Sequence, residues 1–299
     1  MKIINPSFEI IEQDCSKLNK FSAFKSQKIA HLRTGIYKHI EKCGRTCYKS
    51  LDKITDDSCY EFVKRMIQSN HTAMLEHGTI YLTINLTDFS ENYDIINKIN
   101  KLINNKYTKA NLVDNIYYIT TNLRVIYDIF KTNNYWESYM TIPTNNHNKR
   151  YTVKFICNRQ VSHEFVRHRV FSFAQESTRY CNYNKEKFGS ELTFIKPIWT
   201  PYIDLNTDMS DPEYTVLKSF ENSEKTYMKL INAGWKPQQA ATVLPNAIKT
   251  ELIMTGFDYD WLHFFNLRAI GTTGDPHPQA KELAKPLMEE FIRRGYIKN

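Results

Sequence analysis

Between Val166 and Tyr180 the chain reads "VRHRVFSFAQESTRY", which packs three arginines, a histidine, two serines, a threonine, a glutamine and a glutamate into fifteen residues. Hydroxyls, an amide and guanidinium groups at that density are the inventory that binds a phosphate, through O–H, backbone N–H and the planar Arg fork. Gln175 offers donor and acceptor together, which suits the edge of a nucleobase. A helix through "SHEFVRHR" would set His163 one turn before Arg167 and Glu164 one turn before His168. It would also fan Arg167, His168 and Arg169 around most of its circumference, so that they face two ligands rather than one. Three readings stay open on this chemistry alone. They are a solvated basic helix with weak ion pairs to Glu164 and Glu176, a nucleic-acid contact, and a phosphate pocket beside a heteroaromatic pocket. The last describes a nucleotide, a flavin, or both.

The elements that must position these residues follow from periodicity. The first fifty residues suggest strand followed by helix. "DSCYEFVKRMIQSN" has Cys59, Phe62, Val63 and Met66 on one helical face, with Asn70 as a stop. "TIYLTINL" alternates, with Ile80, Leu82, Ile84 and Leu86 on the buried side of a strand. The link between them, "HTAMLEHG", carries His71, Glu76 and His77. Two further stretches show helical spacing: Ile95, Ile96, Ile99, Leu102 and Ile103, then Ile116, Ile119, Leu123, Ile126 and Phe130. They predict a helical subdomain inserted at about 87–150 in a single domain of residues 1–299. "YTVKFICN" reads as a strand and "RQVSHEFVRHR" as a helix. "NSEKTYMKLINAGW" and "PQQAATVL" read as helices, whereas "KTELIMTG" suits strand or helix. Gly271 should end a helix through "DWLHFFNLRAIG", and Pro286 should kink the last helix, "PQAKELAKPLMEEFIRRG". Helices alternating with a few strands define a mixed α/β or α+β domain.

The formal charge of +8 favours acidic partners, whether nucleic acid or phosphorylated metabolites. Much of it is lysine scattered among asparagines. The basic residues form no stripe with repeated aromatics and no reader motif is present, which argues against a specific nucleic-acid partner. No apolar run reaches membrane-span length and "MKIINPSFEIIEQD" lacks the pattern of a secretory signal. The expected location is the cytoplasm, or a host's cytoplasm for a viral chain. Six cysteines (15, 43, 47, 59, 157 and 181) show no completed zinc pattern, so no metal is expected.

"RHRVFSFAQESTRY" resembles the signature of the flavin-dependent thymidylate synthases: Arg-His-Arg, seven residues, then Ser, here Arg167, His168, Arg169 and Ser177. Similar pieces stand in "HTAMLEHG", "GWKPQQAATVLPNAIKTELIMTG" and "WLHFFNLRA", in family order from residue 36 to 292 apart from the insert. The resemblance implies a mixed sheet with flanking helices. It implies a methyltransferase that makes dTMP from dUMP with bound FAD, methylenetetrahydrofolate as carbon donor and NADPH as reductant. A homotetramer with sites between subunits is the family's usual state, and no cysteine nucleophile is needed, which sets aside Cys157 and Cys181. Carried over by position, Arg167, His168, Arg169, Gln175 and His263 would hold FAD, with His71 and Ala73 near it. Glu164, Phe165, Val166 and Arg167 would border dUMP from the helix, and Gln175, Glu176, Ser177, Thr178 and Arg179 from the loop. Arg268 matches the arginine that activates the uracil ring.

Three departures qualify the resemblance. Ala241 stands where the family commonly has a phosphate-binding arginine. Phe257, Asp258 and Tyr259 replace an Asn-x-Arg flavin contact, and Ala73 replaces a small hydroxyl residue beside Thr72. A lost charge-assisted bond costs ~1.5–3 kcal/mol unless replaced, and Lys236 or Lys249 are the candidates to replace it. The alternatives are a relative that modifies another pyrimidine nucleotide and, from a different class, a basic nucleic-acid-binding protein.

Overall fold

The computed structural model describes residues 1–14, 25–89, 93–131, 134–186, 189–203 and 209–298. Cys15 and the start of the first helix expected in the insert (90–92) lie outside the described residues. The chain opens with β1 (Lys2–Ile4), β2 (Ser7–Ile11), α1 (Lys25–Thr46) and α2 (Ser58–Gln68). Next come β3 (Thr79–Asn85), α3 (Tyr93–Ile103), β4 (Lys109–Val113), β5 (Ile116–Asn122) and α4 (Leu123–Phe130). β6 (Arg150–Asn158), α5 (Arg159–Phe165), β7 (Ser172–Gln175) and β8 (Thr193–Ile195) follow. The chain then runs through α6 (Asp211–Asn232), α7 (Pro237–Ala240), β9 (Lys249–Phe257), α8 (Asp258–Phe265) and α9 (Pro278–Arg293).

The central sheet has the order β2-β6-β9-β7 and is antiparallel throughout. Its strands alternate with period two. Val153, Phe155, Cys157, Leu252 and Met254 pack on one face with the apolar stripes of α5, α8 and α9, around Trp261, Phe264 and Phe291. Ile253, Ala174 and Ile11 on the other face meet Cys43 of α1. Helices on both faces of this sheet give the mixed α/β architecture. A second core lies between α1, α2, α3 and α4 and the sheet β3-β5-β4, and a third surrounds α6 beside the parallel pair β1-β8.

The expected helical insert is corrected here. Residues 93–103 and 123–130 are helical, but 109–122 is a hairpin that extends the sheet begun by β3. Val113 pairs with Ile116, leaving a two-residue loop in which Asp114 and Asn115 both have positive φ (49° and 62°). That conformation matches the right-handed twist of a hairpin, and Asp and Asn tolerate it. The Tyr-Tyr-Ile-Thr-Thr run of β5 then favours a strand by its β-branched and aromatic side chains. Helix begins only at Leu123, where the Asn122 side chain accepts the Val125 N–H at 3.0 Å. The strand β3 is also more deeply buried than its alternation implied, with Thr79 to Leu82 all buried.

A polar chain crosses the central sheet. His39 Nε2 bonds Thr152 Oγ1 at 3.0 Å, Thr152 bonds Thr255 at 2.8 Å, and Thr255 bonds His77 Nδ1 at 2.8 Å. Burial, reinforced by Arg150 and Lys42, pushes the His39 imidazole down to about 3. Burial with His39 and Arg150 nearby does the same to His77, also to about 3. In the unfolded chain both titrate near 6.5. Stability from the neutral rings is therefore complete above about 6.5 and is lost as pH falls toward about 3, because only the unfolded state gains the protons. The urea midpoint should decline across that window, and a His39→Gln, His77→Gln double variant should decline less steeply. Equal slopes would mean that the two rings are solvated.

Candidate active site

Four of the candidates, Glu164, Arg167, His168 and His263, gather around a fifth, Arg268. α5 starts where Asn158 accepts the Val161 N–H at 2.8 Å, a cap worth ~1 kcal/mol. It ends at Phe165, short of the Arg-His-Arg triplet expected to continue it. The reason is packing. Phe165 and Phe171 both enter the aromatic core, with Phe165 5.0 Å from the Phe264 ring and Phe171 4.8 Å from Trp261. A turn through 166–171 makes both insertions possible. Gly256 of β9 admits the second, since a Cβ there would stand 2.5 Å from the Phe171 ring. The turn leaves Arg167 and Arg169 exposed and His168 buried.

From the other side, α8 runs into a single π-helical turn, Asn266–Ile270, closed by Gly271 at φ 87° with its N–H on the Asn266 carbonyl. Such turns recur at functional positions because the extra residue re-aims a side chain. Here the side chain is Arg268. Its Nη1 donates to Glu164 Oε2 at 2.9 Å, its Nη2 to the Glu164 carbonyl at 2.8 Å, and its Nε to His168 Nε2 at 3.1 Å. A guanidinium carries five N–H groups, so one on each terminal nitrogen is left for a ligand. Arg268 keeps 16% of its side-chain surface exposed and Glu164 19%, so the pair borders solvent without being screened by it. Arg167 Nη1 reaches the same carboxylate at 3.3 Å. Burial, helped by Arg268 and His263, pushes His168 down to about 4. The ring is therefore neutral and its Nε2 can accept. His263, exposed, lies with its ring centroid 6.0 Å from that of His168.

The remaining candidates fall elsewhere. Phe165 is fully buried and offers no side chain to a ligand, while Val166 is half-buried at the turn. Gln175, at the end of β7, donates to Ser162 Oγ at 2.9 Å and Thr250 Oγ1 at 3.3 Å. Ser177 is tied to the end of α1 through its N–H and the Cys47 carbonyl, and its Oγ accepts the Arg179 N–H at 3.3 Å. Thr178 is half-buried and Arg179 exposed over Tyr180. His71 and Ala73 are exposed on the turn 72–77, which packs against β7.

Glu176 is corrected from a ligand contact to a buried ion hub. Its carboxylate accepts Tyr183 O–H at 2.8 Å and Lys249 Nζ at 3.0 Å, and lies 3.3 Å from Lys49. Lys249 also holds Glu251. Burial alone would lower the Lys249 ammonium, and Glu176 and Glu251 raise it instead. Lys249 is thus committed and cannot stand in for the arginine missing at Ala241, which leaves the exposed Lys236. Sequence reasoning missed Lys49 and Lys249 as partners because they lie 127 and 73 positions from Glu176 in sequence.

Arg169 opens on a separate cavity of about 660 Å³, shared with Arg150, Lys106, Lys109 and Tyr259. None of the first three was expected from spacing, because Lys106 and Lys109 arrive with the β4–β5 hairpin and Arg150 through the pairing of β6 with β9. Among the described residues no cluster of His, Cys, Asp and Glu could hold a metal, and Cys157 is buried with its thiol pushed up to about 12. No helix among them is long and apolar enough to cross a membrane.

Known proteins match part of this sequence. The family described as thymidylate synthase complementing protein (Thy1) matches residues 146–294, the stretch that includes β6, α5, α8 and every partner of Arg268. The chain belongs to that family. It is 30% identical over 142 residues to a flavin-dependent thymidylate synthase of Pyrococcus furiosus, covering 48% of this chain and 54% of the relative. The synthase of Sulfurisphaera tokodaii is 31% identical over 111 residues, 37% of this chain and 38% of that one. The chain thus spans about half or less of the length of these curated relatives. His71 and Ala73 lie outside the family match at 146–294. A solved structure of a UMP/dUMP methylase, PolB from Streptomyces cacaoi, aligns over 98% of this chain and 92% of its own at 13% identity, with a TM-score of 0.44. A likeness that weak bears on neither fold nor substrate.

Removing Glu176 leaves two lysines without their buried carboxylate. Glu176→Ala should cost ~3–5 kcal/mol in urea unfolding, and a loss below ~1 kcal/mol would show the network to be solvated.

Proposed function

We propose that the protein is a flavin-dependent thymidylate synthase, converting dUMP to dTMP with methylenetetrahydrofolate as carbon donor and NADPH as reductant. The observation that supports this most directly is the Arg268 clamp. A guanidinium fixed by Glu164 and His168, with two N–H groups to spare, can meet a pyrimidine carbonyl and stabilise negative charge as it develops on the ring. Its partners hold it beforehand, so little reorganisation is needed at the moment of reaction. FAD, when bound, supplies the hydride.

Arg167, His168 and His263 border the clamp and are the groups to hold the flavin there, with Arg169 farther along the same turn. The donor set suits such a cofactor. A cavity of about 660 Å³ flanked by cations and by the Tyr107 and Tyr259 rings is the size of a nucleotide site. Gln175, Thr178 and Arg179 are the loop groups left for the nucleotide. Ser177 binds rather than attacks, since its Oγ accepts a backbone N–H and among the described residues no base bonds it. His71 and Ala73 lie on the turn beside β7, at the flavin-side edge in this reading. Exposed Val170, Leu262 and Ile270, close in sequence to Arg169, His263 and Arg268, are apolar surface that a homotetramer with sites between subunits would cover.

Ala241 favours one competing reading, a related enzyme acting on another pyrimidine nucleotide. Purified protein with methylenetetrahydrofolate and NADPH should be yellow and convert dUMP to dTMP. If dUMP is inert while dCMP is modified, the competing reading takes its place. A colourless preparation that binds oligonucleotides with a steep salt dependence would refute both. Arg268→Ala should lower turnover at least about a hundredfold and still retain FAD. Comparable turnover would remove Arg268 from the role. Ser177→Ala should raise the dUMP concentration needed without abolishing chemistry, and complete loss with dUMP still bound would make the serine a nucleophile.

A further inference from the structure

The cavity beside Arg169 carries a charge imbalance that the fold does not resolve. Lys106, Lys109, Arg150 and Arg169 face a single carboxylate in its lining, Asp260, a formal excess of three positive charges. Asp260 is itself occupied, accepting the Phe257 N–H at 3.1 Å. Among the described residues none of the four cations has an ion-pair partner. Three of them lie over rings instead: Lys109 over Tyr259, Lys106 over Tyr107 and Arg150 over Phe257, at 5.1, 4.8 and 5.6 Å from the centroids. Cation–π contact holds a cation in place without neutralising it. Arg150 donates to Thr79 Oγ1 and to the Glu76 carbonyl, both uncharged. Burial pushes its guanidinium down to about 10, so the protein bears a cost in keeping this charge.

Four cations collected in one cavity repel one another unless an anion joins them. We infer that the cavity grips the diphosphate of a dinucleotide, with Lys106 and Lys109 brought to it by the hairpin sheet β3-β5-β4. The excess charge suits a diphosphate, and the rings of Tyr107 and Tyr259 suit a flanking base. The grip accounts for two features at once. It gives the 87–150 segment a task, and it places cations around Tyr259, where the family's flavin-contacting arginine is absent. Arg150 lies opposite Phe257 in the β6–β9 register, two residues from that position. Only the choice of dinucleotide rests on the proposed function, since FAD and NADPH both carry the diphosphate.

Calorimetric titration of FAD, ADP, NADPH and riboflavin into the full chain tests the grip. FAD and ADP should bind, with riboflavin, which lacks phosphate, at least about tenfold weaker. Lys106→Ala with Lys109→Ala should weaken FAD and ADP about tenfold or more and flatten the salt dependence, while arginine at both positions preserves binding. Whichever of FAD and NADPH loses affinity in the double-alanine variant is the dinucleotide served. FAD and NADPH affinities that are both unchanged in that variant overturn the grip and leave the flavin reading standing. ADP binding that needs both lysines in a chain that takes up no flavin upholds the grip and refutes the flavin reading. Failure of ADP, FAD and NADPH alike to bind overturns it.

Discussion

Arg268 can lean on His168 only while that histidine is neutral, because a protonated ring has no lone pair for the Nε–H to meet. The surrounding structure serves that condition. Phe171 and Phe264 pack against the ring, and the guanidinium it accepts from disfavours a second positive charge beside it. α5 stops at Phe165 so that the turn can bury His168, and the π-helical turn lifts Arg268 to the height of Glu164. Neither element alone would hold a guanidinium with free N–H groups at the edge of solvent. Packing of the aromatic core and positioning of the charge are therefore one construction.

The positive charge in this chain is divided between two uses. Lys49 and Lys249 are spent inside, pairing with Glu176 and Glu251 to fix the loop after β7. Arg169, Arg150, Lys106 and Lys109 surround a cavity with no ion-pair partner among the described residues. Composition counts both groups alike, which is why the excess of +8 could not choose among partners. Only pairing distinguishes a cation that holds the fold from one left for a ligand.

Much of the frame was legible in the sequence. α2, β3, β6, α9 and the Gly271 stop follow from periodicity and capping, because each buries one face against one partner. The hairpin at 109–122 was missed since Ile116, Ile119 and Leu123 fit a helical stripe as well as a strand edge. The deciding signal, Asp114-Asn115, is a two-residue turn easily read as loop polarity. The helix through Arg169 failed for a tertiary reason, the demand that both Phe165 and Phe171 reach the core. Glu164, His168, His263 and Arg268 come together from distant parts of the chain, whereas Phe165 and Glu176, carried over as ligand contacts, point into the protein. Adjacency in a motif did not reveal which side chains the sheet would bury.

The clamp itself is open to one direct test, nitrogen NMR of the histidine rings across pH, with His168 assigned by His168→Gln. The account predicts a neutral His168 with its proton on Nδ1 and Nε2 bare, persisting down to about 4. A His168 that titrates at the ordinary value near 6.5, or that carries its proton on Nε2, would contradict it.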